Sequence, residues 1–125
     1  MPFVRIRLHG ALDGTAERLA RAATDAMAGA MGKVRGLTAV EVDTGAAGLW
    51  TVGGEPQAAA AHVDAYVTAG TNDAGQKARF VAAMAAALKE AVPGLPLATY
   101  VVIHELPADG WGYDGLTQAA RRPAG

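Results

Sequence analysis

Pro2 directly follows Met1 and directly precedes an alternating run, Phe3 to His9, with no linker between them. A small second residue usually permits removal of the initiator methionine, and the chain would then begin with a prolyl secondary amine. In mid-chain a proline nitrogen is an amide and no base. An ordinary terminal amine has a pKa of about 7.7–8.0, and proline's secondary amine is somewhat more basic. In an apolar pocket near other cations, desolvation and like charge both disfavour the protonated form. Such an amine is free base near neutral pH and suits a general base that moves a proton next to a carbonyl. Many chains begin Met-Pro without using it, and proline is tolerated as the first residue of a strand. Position is what singles this one out, because a buried first strand fixes its first residue in space whereas ordinary termini fray.

Other chemistries have less to work with. The chain has no cysteine, so it offers no disulfide, no thiol nucleophile and no cysteine metal site, which fits a reducing compartment. His9, His62 and His104 are scattered over strands without metal-type spacing, and His104-Glu105 alone carries little weight. Each histidine reads as structural or surface. Gly53-Gly54 and Gly112 lack the strand, glycine loop and helix order that phosphate binding needs. No metal or cofactor is expected.

The elements that must position Pro2 follow from periodicity. Val4, Ile6 and Leu8 point one way and Phe3, Arg5, Arg7 and His9 the other, which predicts a strand buried on one face. Thr15 is a plausible N-cap for a helix to about Met31, with Leu19, Ala23, Met27 and Ala30 on one stripe and Gly32 ending it. Leu37 to Asp43 reads as a second strand, followed by a glycine-dotted stretch, Thr44 to Gly54, that contains Trp50. His62 to Thr68 alternates again. Thr71-Asn72-Asp73 caps a helix to about Val92, with Phe80 or Val81, Met84, Leu88 and Val92 as its stripe. Pro93-Gly94 closes that helix, Leu97 to Leu106 is the longest strand, and a loop with Pro107, Gly110 and Trp111 leads into a tail ending at Arg121-Arg122.

The same order occurs twice. Thr38 and Thr99, Val40 and Val101, Trp50 and Trp111, and Gly54 and Gly115 are each 61 positions apart, while Val4 and Val63 are offset by 59. Both tryptophans stand in Trp-x-x-x-Gly. The reading is a tandem β-α-β duplication, with repeats at approximately 2–55 and 61–115 and a C-terminal tail at 116–125, in a single domain over 1–125. The expected fold class is α+β, two-layered, with a four-stranded mixed sheet and two helices on one face. Phe3, Arg5, Arg7, His62, Asp64 and Tyr66 are left on the other face, either solvated or facing other subunits around a polar centre.

Composition bounds the partners. The chain has 125 residues, 51% hydrophobic and 18% charged, the range of a globular core, with 30 alanines, 16 glycines and 6% aromatics. A core of Ala, Val and Leu is thin, so a permanent partner subunit is expected. A net charge of −1 provides no polycation for nucleic acid. The alanine-rich runs carry Arg, Lys, Glu or Gly every few residues and do not read as membrane spans. No basic stretch followed by an apolar one reads as a signal peptide, so the expected location is cytoplasmic.

At this point the chain resembles the tautomerase superfamily over nearly its whole length. The second repeat, from Ala69-Gly70-Thr71 to Tyr100-Val101-Val102-Ile103-His104-Glu105-Leu106 and Gly110-Trp111-Gly112-Tyr113-Asp114-Gly115, resembles 4-oxalocrotonate tautomerase. The first, with Gly32-Lys33 and then Leu37-Thr38-Ala39-Val40, is more similar to the macrophage migration inhibitory factor group. The resemblance implies a catalytic amino-terminal proline, here Pro2, on fused β-α-β units that assemble as homotrimers with sites at subunit interfaces. It implies a lysine after the first helix and a tyrosine from a neighbouring subunit, matched by Lys33 and Tyr100. The arginines of 4-oxalocrotonate tautomerases fall at Leu12 or Thr71 and at Ala39 or Tyr100, and those of the family's dehalogenases and decarboxylase at Ala58 to Ala61. Their absence weighs against those activities and against a dicarboxylate substrate.

The implied function is a keto-enol tautomerase acting on a small 2-oxo or 2-hydroxy-dienoic acid. Lys33 would bind a substrate carboxylate or cap the first helix's C-terminus, where the dipole favours cations. Arg35 is the second candidate cation or a solvated loop arginine. Tyr100 would hydrogen-bond a carbonyl or enol oxygen or pack as a strand residue. Trp111 would wall off the pocket or pack at an interface, and the two are compatible. The alternative is a catalytically degenerate or ligand-binding trimer of the same fold.

Overall fold

The computed structural model describes residues 2–11, 13–45 and 48–122. Met1, the arginine-equivalent position Leu12, and the last three residues of the tail lie outside the described residues. Strand β1 (Phe3–His9) is followed by helix α1 (Thr15–Gly29), a 3-10 turn at Arg35–Leu37, strand β2 (Ala39–Asp43) and the short strands β3 (Thr51–Val52) and β4 (Glu55–Pro56). The second unit repeats this order: β5 (Ala60–Thr68), α2 (Ala74–Ala91), β6 (Tyr100–Leu106), then β7 (Gly112–Tyr113) and β8 (Leu116–Thr117), ending in a short helix α3 (Gln118–Arg121). Residues after Gly115 thus complete a hairpin and a helical turn.

The main sheet has strand order β2-β1-β5-β6. The outer pairs β1–β2 and β5–β6 are parallel, as a helical crossover requires, and the central pair β1–β5 is antiparallel. Val4, Ile6 and Leu8 meet Ala65, Val63 and Ala61 across that central pair, and all six side chains are buried. Over them lie Leu19, Ala23 and Met27 of α1 and Phe80, Met84 and Leu88 of α2. The fold class expected from periodicity is the one observed. Phe80, not Val81, enters the core: Phe80 is fully buried and Val81 is exposed.

Element ends differ from the sequence expectation for local reasons. Gly14, at φ +82°, is the N-cap of α1, so Thr15 is the buried first helical residue rather than the cap. The helix stops at Gly29 because the Met31 N–H reaches back to the Ala26 carbonyl and that of Lys33 to Met27, which breaks the four-residue ladder. β2 starts at Ala39, not Leu37: Leu37 and Thr38 donate their N–H groups back to Val34 and Arg35, and the Thr38 hydroxyl also donates to Val34. β6 starts at Tyr100, not Leu97, since Thr99 is tied to Leu97 and Pro96 by its N–H and hydroxyl. α2 begins as read, with Asp73 and Gln76 forming a reciprocal capping box.

The sheet's other face carries charge and rings. The Arg5 guanidinium lies 2.8 Å from Glu41. Asp64 accepts from His104 at 2.7 Å and faces His62 at 3.1 Å, and the His104 ring stacks on Tyr66 at 4.6 Å between centroids. Burial pushes the Asp64 carboxyl up, but hydrogen bonds and attraction from the two histidines outweigh it and leave it below the ordinary carboxylate value. No helix among the described residues is long and apolar enough to cross a membrane.

Candidate active site

Pro2 is fully buried at the head of β1, continuing the inward side of the Val4, Ile6, Leu8 alternation. Its carbonyl accepts the N–H of Ala39, 3.3 Å away, which ties it to the first residue of β2. The antiparallel register sets Phe3 opposite Tyr66, so Pro2 falls beside the last residues of β5, Val67 and Thr68. Three elements therefore fix the residue that the alternation expected to be fixed.

At the same end of the sheet, a chain of hydrogen bonds joins two other candidates. The Lys33 ammonium donates to the Thr71 hydroxyl at 2.8 Å, and that hydroxyl donates to the Thr68 carbonyl at 2.6 Å. The Trp111 indole N–H donates to the Thr68 hydroxyl at 3.1 Å. Lys33, Thr71, Thr68 and Trp111 are thus one connected group around the end of β5. Asn72 pins the turn beneath them by donating to the Met31 carbonyl at 2.8 Å. Lys33 is half-buried, and burial pushes its ammonium below the usual lysine value. Its backbone N–H caps α1, while its ammonium reaches Thr71 rather than the helix's carbonyl oxygens.

Arg35 and Tyr100 do not join this group. Arg35 is exposed and lies 2.6 Å from Asp25 of α1, so its charge is turned onto the helix surface. Tyr100 pairs with His62 near the start of β5, and Arg7 with the same His62, which puts Tyr100 at the opposite end of the sheet from Pro2. It is 65% exposed in the single chain and so open to a neighbouring molecule. Sequence reading missed Thr68, which ends the β5 alternation, and took Thr71 as part of a helix cap and as a position where 4-oxalocrotonate tautomerases carry an arginine. The one signal for Thr68 was its repeat position, 59 residues after His9. Among the described residues no cluster of three His, Cys, Asp or Glu side chains could hold a metal ion.

Comparison with known proteins agrees with this fold. Residues 62–121 match the family model described as "Tautomerase enzyme". No curated protein sequence matches the chain. Among solved structures, a fused 4-OT symmetric trimer superimposes with a TM-score of 0.84 at 24% identity, over 96% of this chain and 99% of that one. A protein described as Pt0534, inactivated by 2-oxo-3-pentynoate, also gives 0.84, at 18% identity over 96% of this chain and 99% of that one. The macrophage migration inhibitory factor-like protein of Entamoeba histolytica gives 0.77 at 20% identity, over 93% and 97%. These identities establish the fold, and the sequence match places the second unit, residues 62–121, in the tautomerase family.

Proposed function

We propose that this chain is a keto-enol tautomerase of a small 2-oxo or 2-hydroxy-dienoic acid, with the Pro2 amine, freed by removal of Met1, as general base. The observation that carries the reading is the placement of Pro2: fully buried, held at a strand end, and at the same sheet end as the half-buried Lys33. The Pro2 nitrogen takes a proton from the carbon next to the carbonyl, and the C–H electrons form the enolate. The prolyl ammonium then returns the same proton to the other end of the conjugated system, so nothing is oxidised or reduced. Lys33 is the cation that holds the substrate carboxylate, because Arg35 is committed to Asp25. Trp111, fastened by Thr68, walls the pocket and excludes water.

The active form is a homotrimer in which Tyr100 reaches a neighbouring subunit's Pro2 and steadies the developing enolate oxygen. Its exposure at the far end of the sheet and the trimeric state of the fused 4-OT structure support this. The lack of cysteine suits a cytoplasmic location. The reagent that inactivated the similar protein, 2-oxo-3-pentynoate, is the probe. Incubation followed by peptide mass mapping is expected to show one adduct, on the peptide that begins at Pro2, in step with loss of enol ketonisation. Full inactivation with the adduct on another peptide, or no adduct on protein verified to lack Met1, overturns the reading.

A further inference from the structure

The duplication places a second tryptophan pocket at the other end of the β1–β5 pair. Leu8 and His9 at the end of β1 lie opposite Ala61 and Ala60 at the start of β5, just as the end of β5 lies beside Pro2. Trp50 stands there as Trp111 stands at the Pro2 end. Its carbonyl accepts the Gln57 N–H at 2.9 Å, and the Trp111 carbonyl accepts the Gln118 N–H at the same distance. A cavity of about 570 Å³ opens beside it, lined by Arg5, Arg7, His9, Asp43, Leu49 and Trp50. That volume is within the usual range for small-ligand sites. A second cavity of about 320 Å³, reaching Ala61 and Tyr100, adjoins it on Trp50.

The charges in this cavity are unequally used. Arg5 is neutralised by Glu41, and the Asp43 carboxylate accepts the Gly45 N–H at 2.9 Å. The Arg7 guanidinium lies over the Trp50 ring, 5.7 Å from its centroid, and makes no ion pair among the described residues. Its planar fork of donors is therefore free for a carboxylate, and the indole beneath it limits its freedom. Leu49 leaves an uncovered apolar side chain at the rim, 77% exposed.

We propose that the Arg7–Trp50 pocket binds a small planar carboxylate, paired with Arg7 and packed against Trp50 and Leu49, without converting it. The position corresponding to Pro2 is Ala61, 59 residues later, whose nitrogen is a peptide amide and no base. The pocket draws its cations from β1, since the chain from Thr38 to Asp73 contains neither lysine nor arginine. The inference goes beyond the tautomerase reading and stands whether or not Pro2 is a base.

The test is titration of the full chain with benzoate, read by tryptophan fluorescence in a Trp111→Phe background where Trp50 alone emits. Saturable quenching is expected, weakened roughly 10- to 100-fold by Arg7→Gln, less by Arg7→Lys, and unchanged by Lys33→Ala. Benzamide, the same ring without the charge, is expected to bind at least about 10-fold more weakly. Equal binding of benzoate and benzamide, loss of the signal on Lys33→Ala, or no saturable signal overturns the proposal. Should Arg7→Gln fail to fold, the benzoate–benzamide pair and Lys33→Ala still decide it.

Discussion

The two ends of the β1–β5 pair are built from equivalent parts and equipped differently. At the Pro2 end, a cation from the loop after α1 reaches a threonine ladder that also fastens Trp111. At the Trp50 end the cation comes from the strand itself, Arg7, and lies over the indole, 5.7 Å from its centroid. The first end has a residue whose nitrogen can become an amine, and the second has the mid-chain Ala61. A chain of two units with the same element order can put a terminal amine at only one of the two matching positions. That asymmetry follows from covalent connectivity alone, and the side chains differ around it.

Blocking the terminus should separate the two ends most sharply. In protein that retains Met1 the Pro2 nitrogen stays an amide, and ketonisation is expected to fall by about 100- to 10,000-fold, the usual span for loss of a general base. Benzoate binding at Trp50 should stay the same in that protein. Lys33→Ala comes next: kcat/KM for a 2-oxo acid should drop roughly 10- to 100-fold, chiefly through KM, as a charge-assisted hydrogen bond is lost. Arg35→Ala should leave both parameters near the parent values, because Arg35 is turned to Asp25.

Smaller effects test the anchoring of the two rings. Trp111→Phe removes the hydrogen bond to Thr68 and should cost about 1 kcal/mol in chemical denaturation. Trp50→Phe should cost only about 0.5 kcal/mol, since its indole nitrogen has no hydrogen-bond partner among the described residues. Equal costs would mean that the rings are held alike.

The open sheet face between the two ends has its own pH signature. The Asp64 carboxyl titrates lower in the folded chain than in the unfolded one, so it adds stability above its unfolded pKa, about 3.9. That contribution disappears as pH falls through the folded value. Asp64→Asn should therefore flatten the loss of stability below about pH 4, measured by urea unfolding across pH.

Much of this arrangement was legible in the order of residues. Period-2 runs with helices between them, and two tryptophans 61 apart, fixed the four-stranded sheet and its inward face. The Pro2 end was readable because its strand begins at once. Strand starts were misplaced where threonines spend their hydrogen bonds locally, at Thr38 and Thr99. The joining of Thr68 and Thr71 is not legible in the sequence, because it depends on a contact from Lys33, 38 residues from Thr71, and no period encodes that. The pairing of Arg35 with Asp25, which separates it from Lys33, is a tertiary contact that no sequence pattern announces. The position of Tyr100 required strand order, since only the antiparallel central pair puts it opposite to Pro2.

The proposed chemistry rests on the Pro2 amine, and one paired measurement tests it directly. Protein with Met1 removed and protein with Met1 retained, each verified by intact mass, are compared for ketonisation of phenylenolpyruvate and 2-hydroxymuconate. The processed protein should turn over at least one of the two, and the Met-retaining protein should show at least about a 100-fold loss. Equal turnover by the two forms would contradict the account.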